Sequence, residues 1–301
     1  MFFLFGQSLQ PSLSFRLPYS DAPPFMNPLR AVRFSLLVFC VSTFAGVAGI
    51  FAAAGEWESS VTPLVPGTVP ELRPARVQYD FGWNGVTAAT GDFRYSKSPD
   101  GQARFDATGG TSGFARKLWA FDVIHMATAD PRTLRPLEAK ETETIRGKTR
   151  VTELTFSPTG VSSRREDRRG TETKSKTRTF DFPDVLSLNS AFLLLRAQPL
   201  AAGAVHRVVV YPATSAYLCT ITVQGRESLS GPTGTRNAIK LDLQLNKIGK
   251  QRELQPHRKF RRATVWMGDD ADRHILRIET QVFIGTVFAE LQSVQFDNPK
   301  P

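Results

Sequence analysis

Apolar and polar positions alternate with a period of two along most of the chain from Arg76 onward. The first such segment, residues 77–83 (VQYDFGW), carries an apolar side chain at every second position and runs into Asn84-Gly85. Alternating aromatic residues followed by Asn-Gly are a strong β-hairpin signal. Further segments of this kind are separated by turn residues, and they span 92–97, 102–107, 121–128, 134–145, 150–156, 161–168, 205–211, 217–225, 237–245, 263–267, 275–283 and 286–296.

This pattern predicts a mainly β fold with a single antiparallel sheet that is strongly curled or barrel-like. Many short strands separated by turns are typical of sheets that close, or nearly close, on themselves. Two segments depart from the alternation and predict one or two short helices. Residues 112–119 form the first, and residues 185–196 (VLSLNSAFLLLR) have the spacing of an amphipathic helix that would cap or plug one mouth of the sheet.

An N-terminal apolar helix is predicted before the β-domain. Residues 34–55 lack charged side chains and lie between Arg33 and Glu56. The basic flank and the small residues at 52–54 are typical of a secretory signal peptide, while the length also suffices to span a bilayer. Both alternatives export the downstream chain to the periplasm or cell envelope. The domain is then either soluble after cleavage or anchored by residues 34–54.

The chain divides into five parts on these criteria. Translation from Met26 would give an ordinary basic signal sequence over residues 26–54, so residues 1–25 are interpreted as a non-native or dispensable extension. Residues 55–75 contain four prolines and predict an extended linker. The β-domain then covers residues 76–297, followed by a short tail at 298–301.

Several sequence runs resemble one known family. They are residues 266–273 (WMGDDADR), 276–279 (LRIE), 285–287 (GTV), 289–291 (AEL), 83–85 (WNG), 130–137 (DPRTLRPL) and 233–235 (TGT). Together they resemble an uncharacterised bacterial family, the domain of unknown function 3108, over roughly residues 70–297. The resemblance implies an envelope-directed, mostly β domain without an assigned activity, and it supplies no catalytic residues.

An acidic cluster offers the candidate catalytic residues. Asp269 and Asp270 stand close to Asp272 in sequence, with Glu279 a few residues beyond. Carboxylates of this kind could serve an envelope hydrolase that acts on glycan or lipid. The run lacks the glycine and glutamate spacing of a calcium loop, and aspartates with a glycine between strands also suit a tight turn. We therefore predict no metal site and no cofactor.

A basic stripe indicates either an exposed sheet edge or an anionic partner. Arg164, Arg165, Arg168 and Arg169 are interleaved with acidic residues, and further basic residues follow up to Arg178. Export excludes nucleic acid as the partner. The alternation predicts two edge-facing or solvent-facing strands, and the alternative is docking of these four arginines to anionic lipid headgroups or envelope polymers.

Aromatic residues supply the candidate ligand-binding set. Those at alternating or neighbouring strand positions are Tyr79, Phe81, Trp83, Phe93, Phe105, Phe283 and Phe288. They are expected on the inner face of the sheet, where they would form either a packed core or the wall of an apolar cavity. The same residues would line both, so the sequence leaves the two alternatives open.

The sequence therefore favours a non-enzymatic, exported envelope domain that binds a hydrophobic ligand or an envelope partner. Apolar burial would supply affinity, and a net charge of +8 after removal of residues 1–54 would orient the domain at anionic surfaces. The alternatives are the envelope hydrolase and a structural or assembly scaffold.

Overall fold

The computed structural model describes residues 56–64, 73–257, 262–282 and 285–297. The predicted signal or anchor segment, the N-terminal extension, most of the linker and the tail lie outside these residues. Among the helices described, none has the length and apolar character that a membrane crossing requires. The described residues belong to one compact unit whose first and last strands pair, as expected of a domain that folds by itself.

The described part of the chain forms fifteen strands and two short α-helices, preceded by one turn of 3-10 helix at Glu58–Ser60. The helices are α1 (Gly113–Leu118) and α2 (Leu188–Ala197). The strands are β1 (Ala75–Trp83), β2 (Val86–Lys97), β3 (Ala103–Thr111), β4 (Phe121–Ala129), β5 (Pro136–Ile145), β6 (Lys148–Ser157), β7 (Gly160–Arg169), β8 (Glu172–Asp181), β9 (Val205–Val210), β10 (Tyr217–Gly231), β11 (Gly234–Ile248), β12 (Leu254–Pro256), β13 (Arg262–Gly268), β14 (Ile275–Val282) and β15 (Gly285–Phe296).

All of these strands belong to one antiparallel sheet. Its order is β8-β7-β6-β5-β4-β3-β2-β1-β15-β14-β13-β11-β10-β9, with β12 paired to β11. Pairing of β1 with β15 joins the N-terminal run of hairpins to the C-terminal run. The two ends of the sheet, β8 and β9, are not joined by a strand ladder, so the predicted curled antiparallel sheet is confirmed but full closure is not.

Side chains connect the two open ends of the sheet. The Ser163 hydroxyl on β7 donates to the carbonyl oxygen of Ala213 at 2.6 Å. The Arg178 guanidinium on β8 donates to the carbonyl oxygen of Thr214, also at 2.6 Å. Both acceptors lie in the connection between β9 and β10, so the sheet curls far enough for its first and last edges to meet at a seam.

Helix α2 lies against the sheet and is largely buried. It begins at Leu188 because the Ser187 side chain caps it, accepting a hydrogen bond from the backbone N–H of Ser190 at 3.1 Å. The Phe192 ring stacks on Tyr95 of β2 at 6.1 Å. The helix was predicted three residues longer at its N-terminus, and those residues instead extend toward β9, where Leu186 bridges Val210.

The alternation of apolar residues missed β8 because this strand offers almost no apolar face. All of its residues except Phe180 are exposed, and threonines alternate with basic side chains. Charged side chains on an edge strand oppose sheet-to-sheet aggregation. The charge alternation noted in the sequence therefore marks a true edge strand.

Candidate functional site

Aromatic side chains of β1 and β2 pack into one cluster. The Tyr79 and Phe93 rings meet edge to face at 5.4 Å, and Phe81 lies 6.4 Å from both. The Tyr79 hydroxyl donates to the carbonyl oxygen of Ile275 at 2.7 Å. On β3, Phe105 is 3% exposed and packs edge to face with Tyr95 at 5.5 Å. Tyr79, Phe81 and Phe93 of the predicted ligand-binding set therefore contact one another, whereas Phe105 packs against Tyr95, which was not in that set.

Trp83 is not buried with them. It is 45% exposed, whereas Gly82 beside it is buried. Trp83 is the last residue of β1, at the Asn84-Gly85 turn, so its side chain stands at the open end of the hairpin. The Phe288 ring covers Gly82 so closely that a Cβ there would lie 2.4 Å from Phe288 Cζ. The expected buried position of Trp83 is therefore wrong, and Phe283 lies outside the described residues.

The acidic cluster forms a turn fastened by arginine. Asp270 Oδ1 accepts the backbone N–H groups of Asp272 at 3.1 Å and Arg273 at 2.8 Å. The Asp272 carboxylate pairs with Arg73, whose Nε donates at 2.8 Å and whose guanidinium lowers the pKa of that carboxyl. The cation of Arg73 also lies 3.7 Å from the centre of the Phe296 ring. These contacts order the β13–β14 turn.

The remaining candidate carboxylates also contact arginines. Asp269 accepts from Arg226 Nε at 2.8 Å. Glu279 lies 3.5 Å from Arg277 Nε, and the same guanidinium contacts Glu290 at 2.8 Å. Among the described residues, no group of three or more histidine, cysteine or acidic side chains is arranged to hold a metal ion.

The four predicted surface arginines divide between the two faces of β7. Arg164 and Arg168 are more than half exposed, and both pair with Glu166, at 2.7 and 2.8 Å. Arg165 points to the other face, where its side chain is 22% exposed and binds Asp167 through two hydrogen bonds of 2.9 and 3.0 Å. Arg169 is exposed at the hairpin. The four residues therefore do not form one cationic patch.

A polar network on β4 to β6 was not anticipated from the sequence. Glu143 is 6% exposed and accepts from Arg150 Nη1 at 3.0 Å; burial, more than any neighbouring charge, raises the pKa of its carboxyl. His125 Nδ1 lies 3.5 Å from Glu141, and its Nε2 is 3.1 Å from Asn189 Nδ2 on α2. The two glutamates are two residues apart and therefore share a face of β5, but no pattern in the sequence indicates that this face is covered.

A second buried polar group surrounds the C-terminal end of α2. Arg196 is 1% exposed, and its Nε donates to the carbonyl oxygen of Asp272 at 2.7 Å. His274 is 4% exposed, its ring lies 6.1 Å from that of Tyr95, and burial lowers its pKa to about 4. Within the described residues, neither the Arg196 Nη atoms nor the His274 ring nitrogens have a hydrogen-bond partner. Unpaired buried donors cost free energy, so burial of these two polar side chains is expected to destabilise the folded state.

Arg273 fastens the acidic turn to the same helix end. Its Nη1 donates to the carbonyl oxygens of Arg196 at 2.7 Å and Gln198 at 2.8 Å. A guanidinium at this position satisfies carbonyl groups left free where a helix ends. Arg273 therefore connects the β13–β14 turn directly to the C-terminal end of α2.

A groove of about 960 Å³ lies along the seam between β8 and the ends of β10 to β12. We call it the seam groove. Its basic lining residues outnumber its acidic ones, and apolar side chains contribute to the wall. The basic residues are Lys176, Arg178, Lys247, Lys250 and Arg252, the acidic ones are Asp181 and Glu253, and the apolar ones include Phe180, Tyr211, Ala216 and Ile248.

Two of the basic side chains hold the walls of the seam groove together. Arg178 donates to the carbonyl oxygen of Thr214, as described above. Arg252 donates to the carbonyl oxygen of Asp181, and its cation lies 5.4 and 5.3 Å from the ring centres of Phe180 and Phe182. The lysines of the lining are thus the cations available to a ligand. The groove was not predicted because the segments that line it are far apart in the sequence.

Comparison with known proteins identifies a family and a fold. The model of the family described as "Protein of unknown function (DUF3108)" matches residues 78–292. A crystal structure of a β-barrel-like protein of domain of unknown function DUF1849 from Brucella abortus has a TM-score of 0.51 at 9% identity, covering 76% of this chain and all (100%) of that chain. No curated protein matches the sequence. At this identity the Brucella structure supports the fold alone.

Two further solved structures are more distant. A protein from Bacteroides fragilis with a YmcC-like fold has a TM-score of 0.34 at 8% identity, covering 75% of this chain and 97% of that chain. LprF from Mycobacterium bovis has a TM-score of 0.26 at 14% identity, with coverage of 78% and 92%. Similarity at these scores is too low to carry an argument about this chain.

Proposed function

Because the chain belongs to the family described as "Protein of unknown function (DUF3108)", we propose a function from its own geometry. It is an exported cell-envelope domain that binds an anionic ligand with an apolar portion in the seam groove. The observation that carries this proposal is the groove itself, where about 960 Å³ of space is lined by five basic and two acidic side chains. That volume lies in the range of about 300–1,000 Å³ that is usual for small-molecule sites.

The lining has the two chemical properties that such a ligand requires. Phe180 is half-buried and stacks at 6.1 Å on the buried Tyr211, so it presents an aromatic surface against which an apolar chain can be buried. Lys176, Lys247 and Lys250 bring positive charge to the same space. Glu253 offsets part of it, although its carboxylate already accepts the backbone N–H of Gln251 at 3.0 Å.

Export rests on the sequence. The uncharged run at residues 34–55 follows Arg33 and ends in small residues, as expected of a signal peptide or anchor. In the envelope, amphiphiles with carboxylate or phosphate groups are abundant ligands for a groove of this composition. Binding, rather than catalysis, is the role that this lining supports.

A fluorescence experiment tests the proposal on the domain comprising residues 56–301. 8-Anilinonaphthalene-1-sulfonate should bind, palmitate should displace it, and uncharged hexadecanol should displace it poorly. The double variant K247E/K250E reverses two charges in the lining and should weaken palmitate binding by about ten-fold, or about 1.4 kcal/mol. K174E is the matched control because Lys174 lies on β8 beside the groove without lining it.

Two results would contradict the proposal. One is equal displacement by hexadecanol and palmitate, since charge would then play no part. The other is palmitate binding to K247E/K250E that matches the unmodified domain and K174E. Organic extraction of the purified domain followed by mass spectrometry then identifies the natural ligand class.

A further inference from the structure

One end of the sheet exposes large apolar side chains. Trp83 is 45% and Val86 68% exposed at the β1–β2 hairpin, and Phe114 and Leu118 of α1 are 73% and 60% exposed. We call these four residues the apolar rim. Contiguous exposed apolar side chains on a soluble domain commonly mark a surface that contacts a protein or a membrane.

Backbone contacts show that these elements share one end. The N–H of Ser112, immediately before α1, donates to the carbonyl oxygen of Ala88 on β2 at 2.9 Å. Arg146 Nη2, in the β5–β6 hairpin, donates to the carbonyl oxygen of Leu118 at 2.7 Å. The Arg146 cation also lies 4.3 Å from the centre of the Trp119 ring. The β1–β2 hairpin, α1 and the β5–β6 hairpin therefore meet.

Basic side chains flank the apolar rim. Lys117 on α1 and Lys148 at the start of β6 are exposed, and so is Arg146 in the hairpin between β5 and β6. Arg116 is paired with Asp122 at 2.8 Å, so that pair adds no net charge. Asp80, which accepts from Thr87 beside the β1–β2 hairpin, offsets one of the three charges of Lys117, Arg146 and Lys148, so the surroundings of the rim keep a net positive charge.

We propose that the apolar rim docks onto an anionic phospholipid surface. Phe114 and Leu118 are four residues apart and lie on the same side of α1, so both can enter the boundary between headgroups and acyl chains. The flanking cations then lie at the level of the phosphates, which is the usual arrangement of interfacial helices. Charge complementarity favours this occupant over an uncharged protein surface. The seam groove is lined by other residues, so this inference goes beyond the proposed function.

Vesicle sedimentation tests the inference with the domain comprising residues 56–301, which lacks the apolar N-terminal run. The domain should sediment with vesicles of equimolar phosphatidylglycerol and phosphatidylcholine and remain in solution with phosphatidylcholine alone. F114D/L118D places charges at the two most inserted positions and should lower the bound fraction at least about ten-fold. K117E/K148E should weaken binding to the anionic vesicles and reduce its dependence on salt.

The control is I124D, because Ile124 is 55% exposed on β4 but lies outside the rim. It should bind anionic vesicles as the unmodified domain does. The inference is overturned if F114D/L118D sediments like the unmodified domain, if I124D loses as much binding as F114D/L118D, or if both vesicle types bind equally. Palmitate binding should be unchanged in F114D/L118D. The membrane-docking inference can therefore fail without affecting the proposed ligand binding in the seam groove, and the reverse also holds.

Discussion

Arg196→Ala is expected to lower the free energy of unfolding of the domain by about 2–4 kcal/mol, the range found for large-to-small substitutions in cores. The side chain is 1% exposed, and its methylene stem lies in the interior beside Phe192, whose ring centre is 5.8 Å from the guanidinium carbon. Truncation leaves a cavity there. It also leaves the carbonyl oxygen of Asp272 without its Nε donor. Urea denaturation followed by tryptophan fluorescence measures the loss.

The variant Arg196→Met distinguishes the contribution of the methylene stem to stability from that of the guanidinium charge. Methionine keeps most of the volume and removes a cation whose Nη atoms have no hydrogen-bond partner in the described residues. Since replacing a buried charge by an apolar side chain is often nearly neutral, the cost should be about 1 kcal/mol or less. R94A serves as the control because Arg94 is 60% exposed in its ion pair with Asp297. Equal losses in the methionine and alanine variants would show that the guanidinium itself stabilises the fold.

Local signals in the sequence were sufficient to predict most of the strands. Asn84 and Gly85 have φ values of 46° and 79°, the left-handed conformation at both central positions that an Asn-Gly hairpin turn requires. The period of two located the strands that have an apolar face. The apolar period missed β8, whose side chains are nearly all exposed and which only the alternation of charged residues indicated. It also predicted a buried Trp83, which is 45% exposed at the end of β1 beside the hairpin turn.

The candidate site was harder to predict because its residues come together only through the curl of the sheet. The seam groove takes lining residues from three segments, 176–181, 211–216 and 247–255. Contact between these segments depends on how the two open ends of the sheet meet. The acidic run at 269–272 was conspicuous in the sequence. Its carboxylates pair with Arg73 and Arg226 and accept hydrogen bonds from the turn backbone, so they stabilise the turn.

His274 is expected to make the domain less stable as the pH falls from about 6.5 to about 4. Burial lowers the pKa of its imidazole from 6.5 to about 4; Arg196 and Arg236 act in the same direction, and Asp272 and Asp270 oppose it. Between these two values the unfolded chain binds a proton that the folded domain does not. The free energy of unfolding is therefore unaffected by protonation of His274 above pH 6.5. It decreases as the pH falls through this window, by about 3 kcal/mol in total.

The variant His274→Phe isolates this contribution. Phenylalanine keeps a ring beside Tyr95 and Phe296, which lie 6.1 and 6.0 Å away, and removes the titrating group. Glu143, whose pKa is raised, titrates in both proteins, so its effect cancels in the comparison. The pKa of Asp272 is lowered first by its hydrogen bond with Arg73, which the variant keeps, and to a smaller extent by His274. Urea unfolding at pH values of about 7.5 and 4.5 should show that the unmodified domain loses about 2–3 kcal/mol more than the variant. An equal loss in both would mean that His274 is protonated in the folded domain as readily as in the unfolded chain, and that its burial carries no electrostatic cost.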